Sequence, residues 1–275
     1  MPLVYACIAP HGSEIVPSLA GNKHGLFSQT RKGMKELAMR MKEASPDTMV
    51  VATPHNLRLQ RHIGVVTAEQ SSGRVAEGKK EIRLRAKCDV DFSKRVVDAA
   101  EMRGLPVVAA NYGALEGPMS DLAMDWGTLI PLWFLLKGTR LKSRVVIVTP
   151  SRGIPLRQNF EFGRVVAEVA ESVERRVAFV ASADQAHAHK KGGPYGFDRR
   201  AAEYDSLVAE AVKRDRLESI MDLNPDFVEG AKPDSLWQIA MLAGALSLVK
   251  MNGRLVSYQV PTYFGMLCAT YSRRP

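Results

Sequence analysis

The feature that most constrains the fold is a series of short runs in which apolar residues, mainly valine and alanine, follow one another without alternating with polar residues. Such runs are typical of strands that are buried on both faces. Stretches with the residue spacing of amphipathic helices separate most of the runs, and one ends at Gly104, a residue suited to a helix C-cap. The runs are LVYACIAP, TMVVATP, LPVVAA, RVVIVTP and RVAFVASA, and the helical stretches are SQTRKGMKELAMRMKEA, DFSKRVVDAAEMRG and RQNFEFGRVVAEVAESVERR.

Strands that alternate with helices predict right-handed crossovers and a mainly parallel sheet. We therefore expect an α/β protein with one doubly wound domain over residues 1–275, in which helices flank the central sheet. The length is sufficient for one sizeable core, and no internal repeat or linker rich in proline or serine divides the chain. One segment, RHIGVVTAEQSSGRVAEGKKEIRLRAKC, departs from the rhythm and predicts a β-hairpin excursion on the edge of the sheet.

Composition excludes several classes of protein. The three cysteines, Cys7, Cys88 and Cys268, are far apart and form no CxxC pair, which favours reduced and buried thiols. The longest uncharged apolar runs, LIPLWFLL and MLAGALSLV, are shorter than the roughly 20 residues of a membrane span, and no targeting segment is visible. We therefore expect a cytoplasmic protein with no membrane partner. The net charge of +9 comes from scattered basic residues without interleaved aromatic ones, which argues against nucleic acid as a partner. The charge instead indicates a solvated basic surface or the attraction of small anions.

Three of the predicted strands stop at a proline, and two of these stops place a histidine directly afterwards. Pro10, Pro54 and Pro150 occur in ACIAPHG, VVATPHN and VIVTPSR. Proline cannot donate a hydrogen bond to the sheet, so each would end its strand at the carboxyl edge, where ligands bind in open α/β sheets. His11 and His55 would then project into one crevice, as two ligands of one metal must. A lone histidine in a loop is more commonly a hydrogen-bonded structural residue, but the repeated design favours a metal site.

Two further segments supply candidates for a third ligand and a base. Asp234 stands in the predicted first turn of the apolar helix that follows Pro233, where it could cap the helix or face the crevice, and Glu229 is the nearest substitute. Two histidines and a carboxylate form the facial set that holds Fe(II) with open positions for substrate and dioxygen. His187 and His189 alternate in a glycine-rich loop, so both would point to one face if the loop is extended. A histidine beside a bound phenol could act as a general base, and two exposed loop histidines are an equally acceptable interpretation.

An ordered set of segments resembles the class III extradiol ring-cleavage dioxygenases, the superfamily of the protocatechuate 4,5-dioxygenase catalytic subunit. The segments are IAPHG, ATPHN, MDWGTLIPL, SADQAH with GGPYGFD, and LWQIAMLAGAL. The resemblance implies Fe(II), or Mn or Zn in its place, held by His11, His55 and an acid near the start of the last helix. That acid is Asp234, with Ser235 and Glu229 as neighbouring alternatives, and the catalytic base is His187. The implied substrates are dioxygen and a small catechol-like aromatic compound, and a homo-oligomer or a small partner subunit is compatible with it.

One departure from the family pattern bears on the reaction. The family usually reads Asp-His-Gly where this chain has Trp126 in MDWGTLIPL. Indole does not exchange a proton at neutral pH, so Trp126 could stack on a substrate or simply pack. The alternative function is therefore a metal-binding relative of the Memo type, with an interaction role or another metal-assisted chemistry.

Thr149, Ser151 and Arg152 could help to shape the pocket, and Arg152 could bind a substrate carboxylate, although an ordinary surface position is the commoner role of an arginine.

Overall fold

The computed structural model describes residues 3–273. A mainly parallel sheet of eight strands forms the centre of this part of the chain, and its strand order is β10-β11-β1-β9-β2-β8-β3-β6. The strands of this sheet are β1 (Leu3–Ala9), β2 (Thr48–Ala52), β3 (Ile63–Val66), β6 (Val107–Ala110), β8 (Arg144–Thr149), β9 (Val177–Ser182), β10 (Asn252–Gln259) and β11 (Met266–Ser272). The four pairs β1/β9, β9/β2, β2/β8 and β3/β6 are parallel. The pairs β10/β11, β11/β1 and β8/β3 are antiparallel.

Helices cover both faces of this sheet, which confirms the predicted doubly wound α/β class. The helices are α1 (Ser28–Ala44), α2 (Val90–Met102), α3 (Trp126–Leu132), α4 (Leu156–Ser172), α5 (Arg200–Lys213), α6 (Pro225–Ala231) and α7 (Leu236–Leu248), with a π-helical turn, Trp133–Lys137, after α3. Side chains alternate along each strand, so Ala6 and Ile8 face the core formed with α2, α4, α5 and α7. Tyr5 and Cys7 face the opposite core, which α1 and α3 close.

Local chemistry accounts for the ends of several elements. β1, β2 and β8 stop at Ala9, Ala52 and Thr149, so each ends at or just before its proline, as predicted. The α2 helix ends at Met102, and Gly104 adopts a φ of +67°, the left-handed conformation that glycine tolerates without strain. No helix within residues 3–273 is long and apolar enough to cross a lipid bilayer. All three cysteines are buried and free of disulfide bonds, as predicted.

Two details of the predicted sheet were wrong. The hairpin excursion exists as β4 (Gln70–Glu77) and β5 (Lys80–Lys87), but it does not extend the main sheet. It forms a separate sheet in the order β5-β4-β7 with β7 (Asp121–Ala123), while Ile63–Val66 of the same segment joins the main sheet as β3. The run LPVVAA was read as a strand buried on both faces, yet β6 lies at the sheet edge and Val108 is 37% exposed. An apolar composition alone does not distinguish an edge strand from a central one.

Candidate metal centre

Three side chains converge beyond the carboxyl edge of the sheet, from three separate parts of the chain. His11 follows β1, His55 follows β2, and Asp234 lies in the turn between α6 and α7. The two histidine Nε2 atoms are 3.2 Å apart, and Asp234 Oδ2 lies 3.2 Å from Nε2 of His11 and 3.0 Å from Nε2 of His55. Each residue thus offers one ligand atom to a common point. Within residues 3–273 no other group of histidine, cysteine and acidic side chains has this arrangement.

The spacing of the three donors fits their binding of a single ion. Two donors about 2.1 Å from one ion and at right angles to each other lie roughly 3.0 Å apart, whereas a tetrahedral angle separates them by about 3.4 Å. The three distances, 3.0, 3.2 and 3.2 Å, lie within this range. Two imidazoles and one carboxylate in a facial arrangement are the donors that hold non-haem Fe(II). The residues present therefore fit the metal that the family resemblance implies.

Ser182, the last residue of β9, selects the tautomer of His11. The Ser182 hydroxyl donates its only hydrogen to the carbonyl of Gly127, so its lone pair is left to accept from Nδ1–H of His11, 3.0 Å away. With Nδ1 protonated, the neutral imidazole presents an unprotonated Nε2 to the centre, which is the form that binds a metal. Both Ser182 and His11 are buried, at 0% and 2% exposure.

The start of α3 determines the position of His55. Trp126 stacks on the His55 ring, with centroids 4.1 Å apart and an interplanar angle of 26°. Gly127 leaves room for this ring, since a Cβ there would lie 2.6 Å from Thr53 Oγ1 and 3.2 Å from His55 Cδ2. The Asp125 carboxylate caps α3 through Thr128 N and accepts the Thr53 hydroxyl at 2.8 Å, which ties the loop before His55 to the helix.

Asp234 lies at the centre of the charge distribution. Its Oδ1 pairs with the guanidinium of Arg152, which also lies 4.4 Å from the centroid of the Trp237 ring. Burial alone would raise the pKa of the Asp234 carboxyl, but hydrogen bonds from His11 and His55 hold it well below its usual range. Burial lowers the pKa of His11, whereas the Asp184 and Asp234 carboxylates raise it by more, to about 9. The carboxylates thus favour a positive charge at this point, and a divalent ion would replace the proton there.

A second carboxylate, Asp184, supports His11 from the other side. Its Oδ1 accepts from the backbone N–H of His11 at 3.0 Å, and its Oδ2 lies 3.4 Å from His11 Nε2. Burial raises the pKa of Asp184, and His11 and His187 oppose this shift. Neither Asp184 nor Ser182 was predicted from the sequence, although each lies at or just beyond the end of β9 and hence at the same sheet edge as His11.

His187 lies in the loop after β9 and lines the same cavity as the three donors. Its Nδ1 is 2.9 Å from the carbonyl of Gln185, and since a carbonyl only accepts, Nδ1 carries the hydrogen and Nε2 is the basic atom. Burial lowers the pKa of His187, and Asp184 and Asp234 only partly oppose this effect. The imidazole is therefore neutral at pH 7 and able to accept a proton. Phe264 stacks on it at a centroid distance of 5.2 Å.

The cavity above the three donors has a volume of about 790 Å³. Five aromatic side chains line it, together with acidic and basic residues. Such a cavity is within the size range of small-molecule sites in proteins. The aromatic side chains are Trp126, Tyr195, Trp237, Tyr263 and Phe264.

Other predicted positions are not in this site or differ from expectation. His189 was expected to share a face with His187, but its Nε2 bonds to the buried Asp205 at 2.9 Å, because the loop between the two histidines bends instead of running extended. Neither histidine is a fully exposed loop residue. Glu229 lines the cavity, but its side chain is 76% exposed, pairs with Lys232 and is not one of the three donors. Ser235 is buried against Tyr204.

The remaining predictions concern the segment after β8 and the start of α7. Asp234 was placed in the first turn of the last helix, but α7 begins at Leu236, so Asp234 precedes the helix and does not cap it. Arg152 is not an ordinary surface arginine, because it pairs with Asp234 and lines the cavity. Thr149 and Ser151 bond to the loop at residues 57–60 and do not line the metal cavity.

Comparisons with known proteins agree with this fold. The model of a family described as the catalytic LigB subunit of aromatic ring-opening dioxygenase matches residues 5–267. Protein CA_C1420 of Clostridium acetobutylicum is 22% identical over 253 residues, which are 92% of this chain and 54% of that protein. The chain thus spans about half the length of this curated relative. The crystal structure of an uncharacterized protein, JW3007 from Escherichia coli K12, superposes with a TM-score of 0.65 at 16% identity, covering 97% of this chain and 99% of the other.

Proposed function

The chain belongs to the family of the catalytic LigB subunit of aromatic ring-opening dioxygenases, and we propose from this premise that it is a non-haem Fe(II)-dependent extradiol dioxygenase. It would open the ring of a catechol-like substrate with dioxygen. The observation that carries the proposal is the convergence of His11, His55 and Asp234 in a cavity that is also lined by five aromatic side chains. A bound Fe(II) ion supplies the redox chemistry that allows dioxygen to react with an aromatic ring.

In this proposal the protein's own residues bind the substrate and move its proton. Trp126, Tyr263 and Phe264 offer aromatic faces against which a planar ring can stack. His187 accepts a phenolic proton at Nε2, since its Nδ1 is held by the Gln185 carbonyl and its lowered pKa keeps the ring neutral. The Asp234 carboxylate stays ionised because His11, His55 and Arg152 surround it.

The test is reconstitution with metal in the absence of dioxygen, followed by exposure of the protein to catechols and dioxygen. The donors also accept Mn(II) and Zn(II), so the three ions are compared in parallel. We expect dioxygen uptake and a yellow ring-opened product with Fe(II). His187→Gln should lower turnover by about 100-fold or more while retaining the metal, and His62→Gln, at an exposed histidine outside the cavity, should not. Metal binding without dioxygen uptake across a broad catechol panel would refute the proposed activity.

Trp126 favours a second candidate function, a metal-binding protein of this superfamily that does not cleave rings. Its indole covers one face of His55 and provides no proton donor or acceptor equivalent to a histidine. The variant Trp126→His discriminates between the two candidates. Ring cleavage by Trp126→His but not by the natural sequence would support the second candidate. Ring cleavage by the natural sequence, with equal or lower activity in the variant, would support the first. The buried free thiols of Cys7, Cys88 and Cys268 support a reducing compartment, and we propose the cytoplasm.

A further inference from the structure

A fully buried carboxylate, Asp205 of α5, lies behind the loop that carries His187. Its Oδ1 accepts the backbone N–H of Ala186 at 2.9 Å. Its Oδ2 accepts Nε2–H of His189 at 2.9 Å and the hydroxyl of Tyr258 at 2.7 Å. Burying a charged carboxylate is costly unless hydrogen-bond donors surround it in this way. The proposed reaction does not use Asp205, yet two of its partners, Ala186 and His189, flank His187 in the chain.

The chain at Gln185 and Ala186 is clamped between Asp205 and Gly265. Gly265 accepts the N–H of Gln185 at 2.8 Å and donates to the carbonyl of Ala186 at 3.0 Å. A Cβ on Gly265 would lie 2.0 Å from Asp205 Oδ2, so only glycine allows the carboxylate to approach this closely. Burial and the charge of Asp205 raise the pKa of Tyr258, so its hydroxyl stays protonated and continues to donate. The position of the carboxylate is therefore fixed from several sides.

The bond from Ala186 to Asp205 orients the peptide group that holds His187. The carbonyl of Gln185 and the N–H of Ala186 belong to one planar trans peptide group and point in opposite directions. Asp205 fixes the N–H end of this group. The carbonyl end accepts Nδ1–H of His187 at 2.9 Å and the backbone N–H of Asp234 at 3.3 Å. A rotation of the peptide would withdraw the acceptor from His187, and a carboxylate at the N–H end also strengthens the carbonyl as an acceptor.

We propose that Asp205 is a positioning residue for His187. Through the peptide between Gln185 and Ala186 it keeps the imidazole hydrogen on Nδ1 of His187 and leaves Nε2 free to accept the substrate's proton. This inference rests on the proposed function, because His187 acts as a base only there. Asp205 lies outside the cavity lining, so it acts through His187 and its loop and does not contact the substrate.

The first test measures the tautomer of His187 by ¹⁵N NMR and needs no turnover. The protein is loaded with Zn(II), which is diamagnetic. We expect the natural protein to hold His187 as the neutral Nδ1–H tautomer, and Asp205→Ala to lower the ratio of this tautomer to the Nε2–H tautomer by about tenfold. Asp205→Asn should restore the Nδ1–H tautomer, since its amide oxygen can still accept from Ala186. The inference is overturned if the natural protein holds the Nε2–H tautomer, or if Asp205→Ala leaves the ratio unchanged.

Asp89→Ala is the matched control for the loss of a buried carboxylate. Asp89 is 1% exposed, and it accepts hydrogen bonds from the Thr48 hydroxyl, the backbone N–H of Phe92 and the guanidinium of Arg175. It lies at the amino ends of β2 and α2, hence at the opposite sheet edge from the metal centre. This variant should leave the tautomer of His187 unchanged. A shift as large as that in Asp205→Ala would attribute the effect to general loosening of the fold and overturn the inference.

The second test is a double-mutant cycle on the Fe(II)-loaded protein with a catechol substrate. Asp205→Ala should lower kcat by about tenfold with KM nearly unchanged, since Asp205 does not contact the substrate. In the His187→Gln background the same change should lower kcat by less than about twofold, because the residue through which Asp205 acts is gone. A tenfold loss in both backgrounds would show that Asp205 acts independently of His187 and would overturn the positioning role.

The failure of the proposed function gives a different result. If the natural protein consumes no dioxygen with any catechol, the ring-cleavage proposal fails, and the ¹⁵N spectra still decide whether Asp205 selects the tautomer of His187. If Asp205→Ala does not fold, amide hydrogen exchange of the natural protein replaces it. Slow exchange at Ala186 would support its bond to Asp205, and exchange as fast as at the exposed Lys191 of the same loop would overturn the inference.

Discussion

The hydrogen bond between Ser182 and His11 yields the sharpest prediction about metal binding. In Ser182→Ala, the buried Nδ1 of His11 loses the acceptor that it has in the protein and the carbonyl of Gly127 loses a donor. Without metal, the His11 ring can adopt the other tautomer or a proton and avoid part of the cost. With metal on Nε2, the hydrogen must stay on Nδ1, where it is buried and unpaired.

The magnitude follows from this difference between the two states. An unpaired buried donor costs about 1–3 kcal/mol, and this cost falls mainly on the metal-bound state. We therefore expect Ser182→Ala to weaken metal binding by roughly 10- to 100-fold, with a smaller loss of stability in the metal-free protein. Competition with a chromophoric chelator measures the affinity, and thermal unfolding measures the stability.

Ser93→Ala is the matched control for this substitution. Ser93 is also fully buried and lies in α2, away from the centre, and its hydroxyl has no hydrogen-bond partner among residues 3–273. This variant should bind metal as the natural protein does. An unchanged metal affinity in Ser182→Ala would refute the assignment of His11 Nε2 as a ligand atom whose tautomer Ser182 selects.

Three further substitutions give results that separate the site from the scaffold. Gly127→Ala should weaken metal binding by about tenfold, because the new Cβ would lie 3.2 Å from the His55 ring and displace it; an unchanged affinity by chelator competition would contradict this. Gly244→Ala should destabilise the fold by about 1–3 kcal/mol without changing metal affinity, since its Cβ would lie 1.9 Å from the Phe160 carbonyl where α7 crosses α4; an unchanged unfolding temperature would contradict it. Burial lowers the pKa of His187 below the ordinary histidine value, and the base form of the ring is lost as the pH falls through this pKa. We therefore expect kcat/KM at saturating metal to decline only at pH values below the ordinary histidine pKa. A decline that persists unchanged in His187→Gln would exclude His187 as the base.

The central strands and several helices could be predicted because their causes are local. A strand covered on both faces needs a continuous apolar run, and a surface helix needs an apolar stripe, so both patterns are present in a short stretch of chain. The strand order is set by long-range pairing, and nothing in residues 63–66 indicates that β3 pairs antiparallel with β8. The edge position of β6 is equally invisible, since LPVVAA resembles a central strand.

The same distinction applies to the site. His11 and His55 stand out because each follows a proline-stopped strand, and parallel strands bring their carboxyl ends together. Asp234 lies about 180 residues further on and was selected through the family resemblance, since its capping role was an equally valid interpretation. Ser182 and Asp184 were missed because a serine and an aspartate after a strand are common, and only the folded chain shows that they contact His11.

The most direct test of the account is anomalous diffraction from crystals soaked with Fe(II) without dioxygen. We expect one strong anomalous peak about 2.0–2.2 Å from Nε2 of His11, Nε2 of His55 and a carboxylate oxygen of Asp234. A peak bound by Asp184 in place of Asp234, or the absence of an ion between the two histidines at saturating iron, would contradict it.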